Sequence, residues 1–397
     1  MGQPSNSTSS VPHARPLWRR IIAAQESGLI VVIALMMAAL AIFGGSKTDT
    51  TKVVIPAGVA HVVLNETELR VSWPDGEQTY RSGRSVRIRE GDAGGLEAFI
   101  TQQTNKFLDA ANLLNVLTTA SFYAVMAVGM TAIIILAGID LSVGSVYALA
   151  AILGASAISR FDPSASAWIA VPTLIAVCCA VGAVAGFVNG FSSVALRVHP
   201  FIITLGTMAI FRGLVFVYTG GQTISGLPES IQGGFFKFEF KGVYPVPTLI
   251  MLFVALAGVV VLGRTVFGRR VFAIGGNETA ATYAGIPVGR VKTIVYTLAG
   301  ALAGLAAAIY VGFYGAAENG AGQGYELNVI AAAVIGGASL SGGRGSAFGA
   351  VLGAILVQLI NNGMLILDID QSYNQIVMGL AIIIAVVVDQ AKTRLSK

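Results

Sequence analysis

The stretch IIILAGIDLSVGSVYALAA, residues 133–151, is apolar almost throughout yet carries one acid, Asp140. An aspartate at the centre of a spanning helix costs about 2.5–3.5 kcal/mol on insertion scales, so its position needs a structural reason. The neighbours supply one. Gly138 can end one helix, and Asp140 can act as N-cap of the next, accepting backbone N–H groups at the positive end of the helix dipole. The stretch therefore reads as two helices meeting at a break inside a membrane.

Composition sets the same solvent. The chain has 397 residues, of which 55% are hydrophobic and 11% charged, far below the roughly 25% charge of soluble domains. Mean hydropathy is +0.75. Without water to satisfy the backbone, each span must be a helix or part of a closed barrel, and these apolar runs are too long and continuous for a barrel. The expected fold is an all-α polytopic membrane protein of about ten spans. They cover residues 28–45, 113–137, 143–158, 168–196, 201–218, 246–262, 293–310, 327–338, 346–365 and 375–388. Several are short enough to be broken or re-entrant helices. The first is longer than the apolar region of a signal peptide and reads as an uncleaved helix behind a polar tail, residues 1–27.

The net charge of +5 does not imply nucleic acid, since no basic stripe interleaves with aromatics. It reports topology. With the N-terminus inside, the cytoplasmic side collects Arg15, Arg19, Arg20, Arg197, Arg264, Arg269, Arg270, Arg290, Lys292, Arg344, Lys392, Arg394 and Lys397. The opposite side holds Arg160, Lys237 and Lys241 apart from one long loop. Both termini, including the tail at 391–397, are expected to be cytoplasmic. The long loop, residues 46–106, alternates apolar and polar residues through Leu69, Val71 and Trp73, turns at Pro74, Asp75 and Gly76, and alternates again at Val86 and Ile88. It reads as a small β-rich extracytoplasmic insertion that packs on the membrane core or a partner; the alternative is a partly ordered solvated loop.

A second stretch resembles the first. Aligned without gaps, residues 138–155 (GIDLSVGSVYALAAILGA) and 337–354 (GASLSGGRGSAFGAVLGA) share Gly, Leu, Ser, Gly, Ala, Ala, Leu, Gly and Ala. Ser339, another N-capping residue, falls opposite Asp140. An internal repeat would give both halves the same capped break, as in transporters built from repeated units. The charge count puts both breaks on the cytoplasmic side, which suits a parallel repeat, with the orientation open. Small residues recur at spacing four in Gly182, Gly186 and Gly190, in Gly345, Gly349 and Gly353, and in Gly300 with Gly304, which lets helices approach closely. Adjacent Cys178 and Cys179 read as core packing. The scattered His13, His61 and His199 lack metal-ligand spacing, and no catalytic signature occurs.

Five segments read together: AGIDLSVGS from 137, HPFIITLGTMAIFRGLVFVYTGG from 199, GGNETAATYAGIPVGRVKTIVYTLAGALAGLAA from 275, ELNVIAAAVIGGASLSGGRGSAFGA from 326 and NNGMLILDIDQSYNQIVMGLAIIIAVV from 361. Their order resembles the permease subunits of ribose-type ABC sugar importers, the carbohydrate branch of the family that includes branched-chain amino-acid permeases. The likeness spans a permease core at 107–390 and leaves the 46–106 insertion outside it. It implies two membrane subunits, identical or sister copies, seated on two cytoplasmic ATPase subunits and fed with sugar by a periplasmic binding protein, in a bacterial inner membrane. It also implies that ATP and Mg²⁺ sit on the partner ATPase and that this chain binds no cofactor. The chain agrees in having no G-x-x-x-x-G-K-[ST] phosphate loop.

Within the loop at 264–292, GNETAATYAGI (276–286) looks like that family's ATPase-coupling motif, placing Gly276, Asn277, Glu278, Ala280, Ala281, Gly285 and Ile286 at the docking site. Glu278 and Thr279 suit a first helical turn; Ala280, Ala281 and Ala284 form a low-profile face; and Gly285 with Pro287 ends the helix. The alternative is an ordinary loop helix lying on the membrane. A sugar path calls for neutral hydrogen-bonding side chains and aromatics, for which the candidates are Asn189, Phe201, Thr204, Asn328, Gln358 and Asn361; each could instead be a satisfied polar group between helices. Pro200 suits the first residue of its helix. Arg212 either snorkels, pairs with an acid such as Glu326, or marks a misplaced span boundary. The competing function is an ion-driven secondary transporter, which should bury ionisable residues along its path; an intramembrane enzyme lacks a catalytic set.

Overall fold

The structure, a computed structural model, describes residues 25–55, 60–65, 68–73, 76–81, 85–90, 96–240 and 244–395. The basic tail with Arg15, Arg19 and Arg20, the turn at Pro74 and Asp75, Lys241 and Lys397 lie outside the described residues.

Every expected span is met by a helix. In chain order these are α1 (Gln25–Phe43), α2 (Ala110–Ile135), α3 (Val143–Ile158), α4 (Ala167–Leu196), α5 (Pro200–Thr219), α6 (Pro245–Arg264), α9 (Val288–Tyr314), α10 (Tyr325–Ile335), α11 (Ala347–Ile366) and α12 (Asn374–Leu395), with two short helices, α7 (Val266–Gly276) and α8 (Glu278–Tyr283), between α6 and α9. Among the described helices, seven are long and apolar enough to cross a membrane: α1, α2, α4, α5, α6, α9 and α11. At 16 and 11 residues, α3 and α10 reach only about 24 and about 17 Å, short of a hydrocarbon core of roughly 30 Å. They begin beside each other: a Cβ on Gly144 would strike the Gly322 carbonyl, and one on Gly322 the Gly144 carbonyl.

The core forms around α2, buried along most of its length. Its long partner α11 runs antiparallel to it. Asn112 near the start of α2 exchanges amide hydrogen bonds of 2.7 and 3.2 Å with Asn362 near the end of α11. At the other end, the Gly343 N–H donates to the Ile135 carbonyl at 2.9 Å. The α4–α9 seam uses the expected glycines. A Cβ on Gly182 would overlap the Gly300 carbonyl, and one on Gly304 the Cys178 carbonyl, so only bare Cα atoms permit this approach. Cys178 is a buried free thiol whose Sγ–H donates to Ala150 O at 3.3 Å. Helices α1, α5 and α6 turn large apolar side chains outward, such as Leu35, Ile202, Val217 and Phe253, which costs nothing against lipid.

The insertion holds six strands: β1 (Ser46–Ile55), β2 (Ala60–Asn65), β3 (Glu68–Trp73), β4 (Gly76–Arg81), β5 (Ser85–Glu90) and β6 (Leu96–Asn105). They make two antiparallel three-stranded sheets, ordered β1-β6-β5 and β2-β3-β4. The two expected alternating runs are β3 and β5, but they belong to different sheets rather than to one meander, with β4 paired to β3 between them. The β1–β6 pairing from Ser46↔Asn105 to Ile55↔Leu96 was not anticipated; it brings the ends of the module together between α1 and α2. Asn105 Nδ2 donates to Ala41 O at 2.8 Å, and Lys47 pairs with Asp109 at 2.7 Å, tying the module to the ends of both helices.

Candidate functional site

The two expected helix breaks are real, with a different chemistry from the one anticipated. Helix α2 ends in a Schellman-type turn, Ala137 N–H to Ile134 O at 2.8 Å and Gly138 N–H to Ile133 O at 3.0 Å. The left-handed residue is Ala137 (φ 58°), not Gly138. Gly138 is instead needed for space, since a Cβ there would meet the Tyr296 hydroxyl. Helix α10 ends the same way, Gly337 N–H to Val334 O at 2.9 Å and Ala338 N–H to Ala333 O at 3.0 Å, with Gly337 at φ 98°. The repeated turn thus sets Ala137 opposite Gly337, one residue off the ungapped alignment.

Neither expected cap residue caps. The N-cap of α3 is Ser142, and Asp140 accepts the Ser142 N–H at 2.8 Å and its hydroxyl at 2.7 Å, an Asx turn two residues ahead of the helix. The N-cap of α11 is Ser346, whose hydroxyl accepts from Gly349 N–H at 3.2 Å. Ser339 lies buried within the preceding turn, its N–H on Arg344 O at 3.0 Å. The second break is longer because Gly342 and Gly343 take positive φ (83° and 71°), which delays the helix.

Asp140 anchors a buried polar network drawn from three parts of the chain. Asn189 on α4 donates to Ser142 Oγ at 2.7 Å, and Thr207 on α5 donates to Asn189 Oδ1 at 2.7 Å. Thr204 accepts the Leu141 N–H at 3.2 Å and donates toward Ile139 O at 3.3 Å. Asp140, Ser142, Asn189, Thr204 and Thr207 are all buried. Satisfied networks of this kind fix a unique packing where lipid-facing surfaces cannot. Asn189 and Thr204, the expected path candidates, are buried here and bonded within the network; its other members Ser142 and Thr207, and the neighbouring Tyr296, whose buried hydroxyl has no hydrogen-bond partner among the described residues, were not among the expected residues.

The remaining path candidates divide. Asn328 is half-buried on α10, one turn after Tyr325. Phe201 is 41% exposed on the outer surface of α5 and does not join the network. Gln358 and Asn361 lie half-buried on α11, where the neighbouring Asn362 makes the cross-helix bond. Arg212 gives its guanidinium to backbone: Ala321 O at 2.8 Å, Asn319 O at 3.3 Å and Gly144 O at 3.5 Å. It ties α5 to the segment before α10 and to the start of α3, with Glu326 as a nearby charge. The span boundary is correct, as α5 runs to Thr219.

The expected docking helix is α8. Asn277 is its N-cap, accepting the Ala280 N–H at 2.9 Å, and Glu278 opens the first turn while pairing with Lys292 of α9 at 2.7 Å. Gly285 (φ 78°) closes it with Ile286 N–H on Ala281 O at 3.1 Å. One alanine is misassigned by the sequence: Ala281 is buried in the core cluster, whereas Ala280 and Ala284 are exposed, with Tyr283 beside them 87% exposed. The outward face is therefore Ala280, Tyr283 and Ala284.

Behind α8 the chain touches both breaks. Gly275 at the end of α7 lies so close to the Ile135 carbonyl and the Gly343 N–H that a Cβ would overlap them, and Gly342 lies against the Gly275 carbonyl and Ala137. The end of α7, the end of α2 and the loop before α11 are one backbone-on-backbone junction.

Comparison with known proteins follows this geometry. The family described as branched-chain amino acid transport system / permease component matches residues 112–386. The ribose import permease protein RbsC of Bacillus subtilis is 43% identical over 291 residues, 72% of this chain and 87% of that protein. The galactose/methyl galactoside import permease protein MglC of Haemophilus influenzae is 36% identical over 313 residues, 75% of this chain and 91% of that protein. The D-allose transport system permease protein AlsC of Escherichia coli is 37% identical over 285 residues, 72% and 85% of the two chains. No solved structure matches.

Proposed function

The chain belongs to the ribose-type ABC permeases of the branched-chain amino acid transport system / permease component family, and from that premise we propose that it forms the membrane conduit of an ATP-driven importer for a monosaccharide or related polyol. A periplasmic binding protein delivers the sugar, and a separate cytoplasmic ATPase, holding ATP and Mg²⁺, drives the cycle. A second permease, identical or a sister chain, completes the conduit.

The observation that carries this reading is the junction behind α8. A short capped helix presents Ala280, Tyr283 and Ala284 outward, and Gly275, just ahead of it near the end of α7, packs against the end of α2 and the loop before α11. A force on that face moves the end of α2 and the loop before α11 together, because backbone packed on backbone has little side-chain slack to absorb it. The end carrying α8 also gathers Arg264, Arg269, Arg270, Arg290, Lys292 and Arg344, which supports a cytoplasmic docking face and cytoplasmic termini.

Of the path candidates, half-buried Asn328 supports a conduit lined by neutral hydrogen-bonding side chains, while Asn189 and Thr204 are buried and bonded within the break network and shape the conduit from behind. The test is uptake of labelled D-ribose, D-galactose and D-allose into proteoliposomes holding the permease with its ATPase, supplied with binding protein. Uptake of at least one of these sugars that stops when ATP is withheld supports the proposal; transport of none overturns the sugar assignment.

A further inference from the structure

Outside the break network, four helices bring tyrosines to one place. Tyr310 and Tyr314 stand four residues apart on the last turns of α9, Tyr325 opens α10, Tyr123 comes from α2 and Tyr147 from the second turn of α3. The rings form a continuous layer: Tyr123 to Tyr325 at 4.8 Å, Tyr147 to Tyr325 at 5.4 Å, Tyr147 to Tyr310 at 5.6 Å and Tyr310 to Tyr314 at 5.0 Å between centroids. Their interplanar angles lie between 45° and 51°, so no pair is stacked face to face. On α2 the layer sits twelve residues before Ile135, about 18 Å from the junction behind α8.

Two properties set this layer apart from ordinary aromatic packing. The Tyr147 hydroxyl is wholly buried and has no hydrogen-bond partner among the described residues, a cost that a Phe at the same place would avoid. The Tyr123 ring lies against the Tyr325 ring at 4.8 Å, and Asn328 follows Tyr325 by three residues on α10, one turn along the same helix. The layer also bridges the starts of both half-length helices, α3 and α10, through the Tyr147–Tyr325 ring contact. A site that offers tilted ring faces, a row of neutral hydroxyls and an amide matches the chemistry of a sugar, which has apolar C–H faces and peripheral hydroxyls.

We propose that Tyr123, Tyr147, Tyr310 and Tyr325, with Asn328, form a constriction of the translocation path that stacks on and hydrogen-bonds a neutral polyhydroxylated ring. This rests on the sugar-importer reading and adds the residues that read the ring. In the closed arrangement the Tyr147 hydroxyl lacks the partner that the passing substrate supplies.

The test uses the complete assembly in proteoliposomes, with Tyr147→Phe and Tyr123→Phe variants and D-ribose, D-galactose, D-allose and their monodeoxy analogues as probes. Tyr147→Phe breaks no hydrogen bond within the protein, so its melting temperature should equal or exceed the wild type. Its uptake of the preferred sugar should fall about tenfold, equivalent to ~1.4 kcal/mol. For one deoxy analogue the wild-type penalty should disappear in that variant, which a purely structural role would not produce. If the wild-type assembly takes up a sugar and both variants match it within twofold for every probe, the constriction is wrong while the importer reading stands. If the wild type transports no sugar, the parent reading fails and takes this inference with it.

Discussion

The Gly343 amide donates to the Ile135 carbonyl at 2.9 Å, linking the loop before α11 to the end of α2, and Gly275 fills the space directly beside that bond. Three segments far apart in sequence therefore meet through main-chain atoms alone. Such a contact is suited to transmitting position, because closely packed backbone shifts as a unit rather than deforming continuously.

Gly275→Ala should reduce ATP-dependent uptake at least tenfold, since its Cβ would overlap the Ile135 carbonyl. Gly263→Ala is the matched control: it lies in α6 outside the docking motif, its Cβ meets nothing within 4 Å, and alanine gains up to about 1 kcal/mol in helix propensity. Uptake and ATP hydrolysis measured together on both variants check the pair; equal uptake would deny the junction a role.

On α8, Ala280→Arg should abolish co-purification of the ATPase while the permease still runs as a monodisperse membrane protein. Ala281→Arg should instead damage the permease itself, because that side chain is in the core. Size-exclusion profiles and pull-down of the ATPase distinguish the two. Glu278→Gln, which removes a partly exposed ion pair with Lys292, should cost less than about 1 kcal/mol of stability in a thermal melt.

How much of this was legible beforehand follows from the range of each signal. Spans were readable because a membrane helix is a long uninterrupted apolar run, and the caps of α8 because Asn277 and Gly285 act on neighbours within one turn. Which alanine of α8 faces inward was not readable, since a six-residue helix shows too little of a period. Nor was the Asp140 network: Ser142, Asn189 and Thr207 lie on separate segments, and a lone polar residue in an apolar run does not name its partner. The misread caps have a common cause. Asp and Ser serve equally in caps and in Asx or hydroxyl turns, and only the chain's path separates the two uses. The β1–β6 ladder escaped notice because Ser46–Ile55 begins with a polar run that shows no alternation.

Asn189→Ala should destabilise the protein by about 2–3 kcal/mol, because it leaves the Ser142 and Thr207 hydroxyls short of partners in a buried site. Thr207→Val removes one member of the same network and should cost about 1 kcal/mol. Thermal unfolding of the detergent-solubilised permease gives both, and the double variant should lose less than the sum, as members of one network do.

Close packing gives an independent check on the fold. Gly182→Leu should prevent stable assembly, since α4 and α9 touch there through backbone, whereas Gly206→Leu on the open side of α5 should be tolerated. Membrane yield and melting temperature of the two variants decide it.

The central claim is that this chain is a conduit moved by a separate ATPase, and accumulation of labelled sugar against a gradient tests it most directly. The complete assembly should concentrate sugar only with ATP and binding protein, and the purified chain alone, under a proton or sodium gradient, should concentrate none. Uphill transport by the chain alone, driven by an ion gradient, would contradict the account.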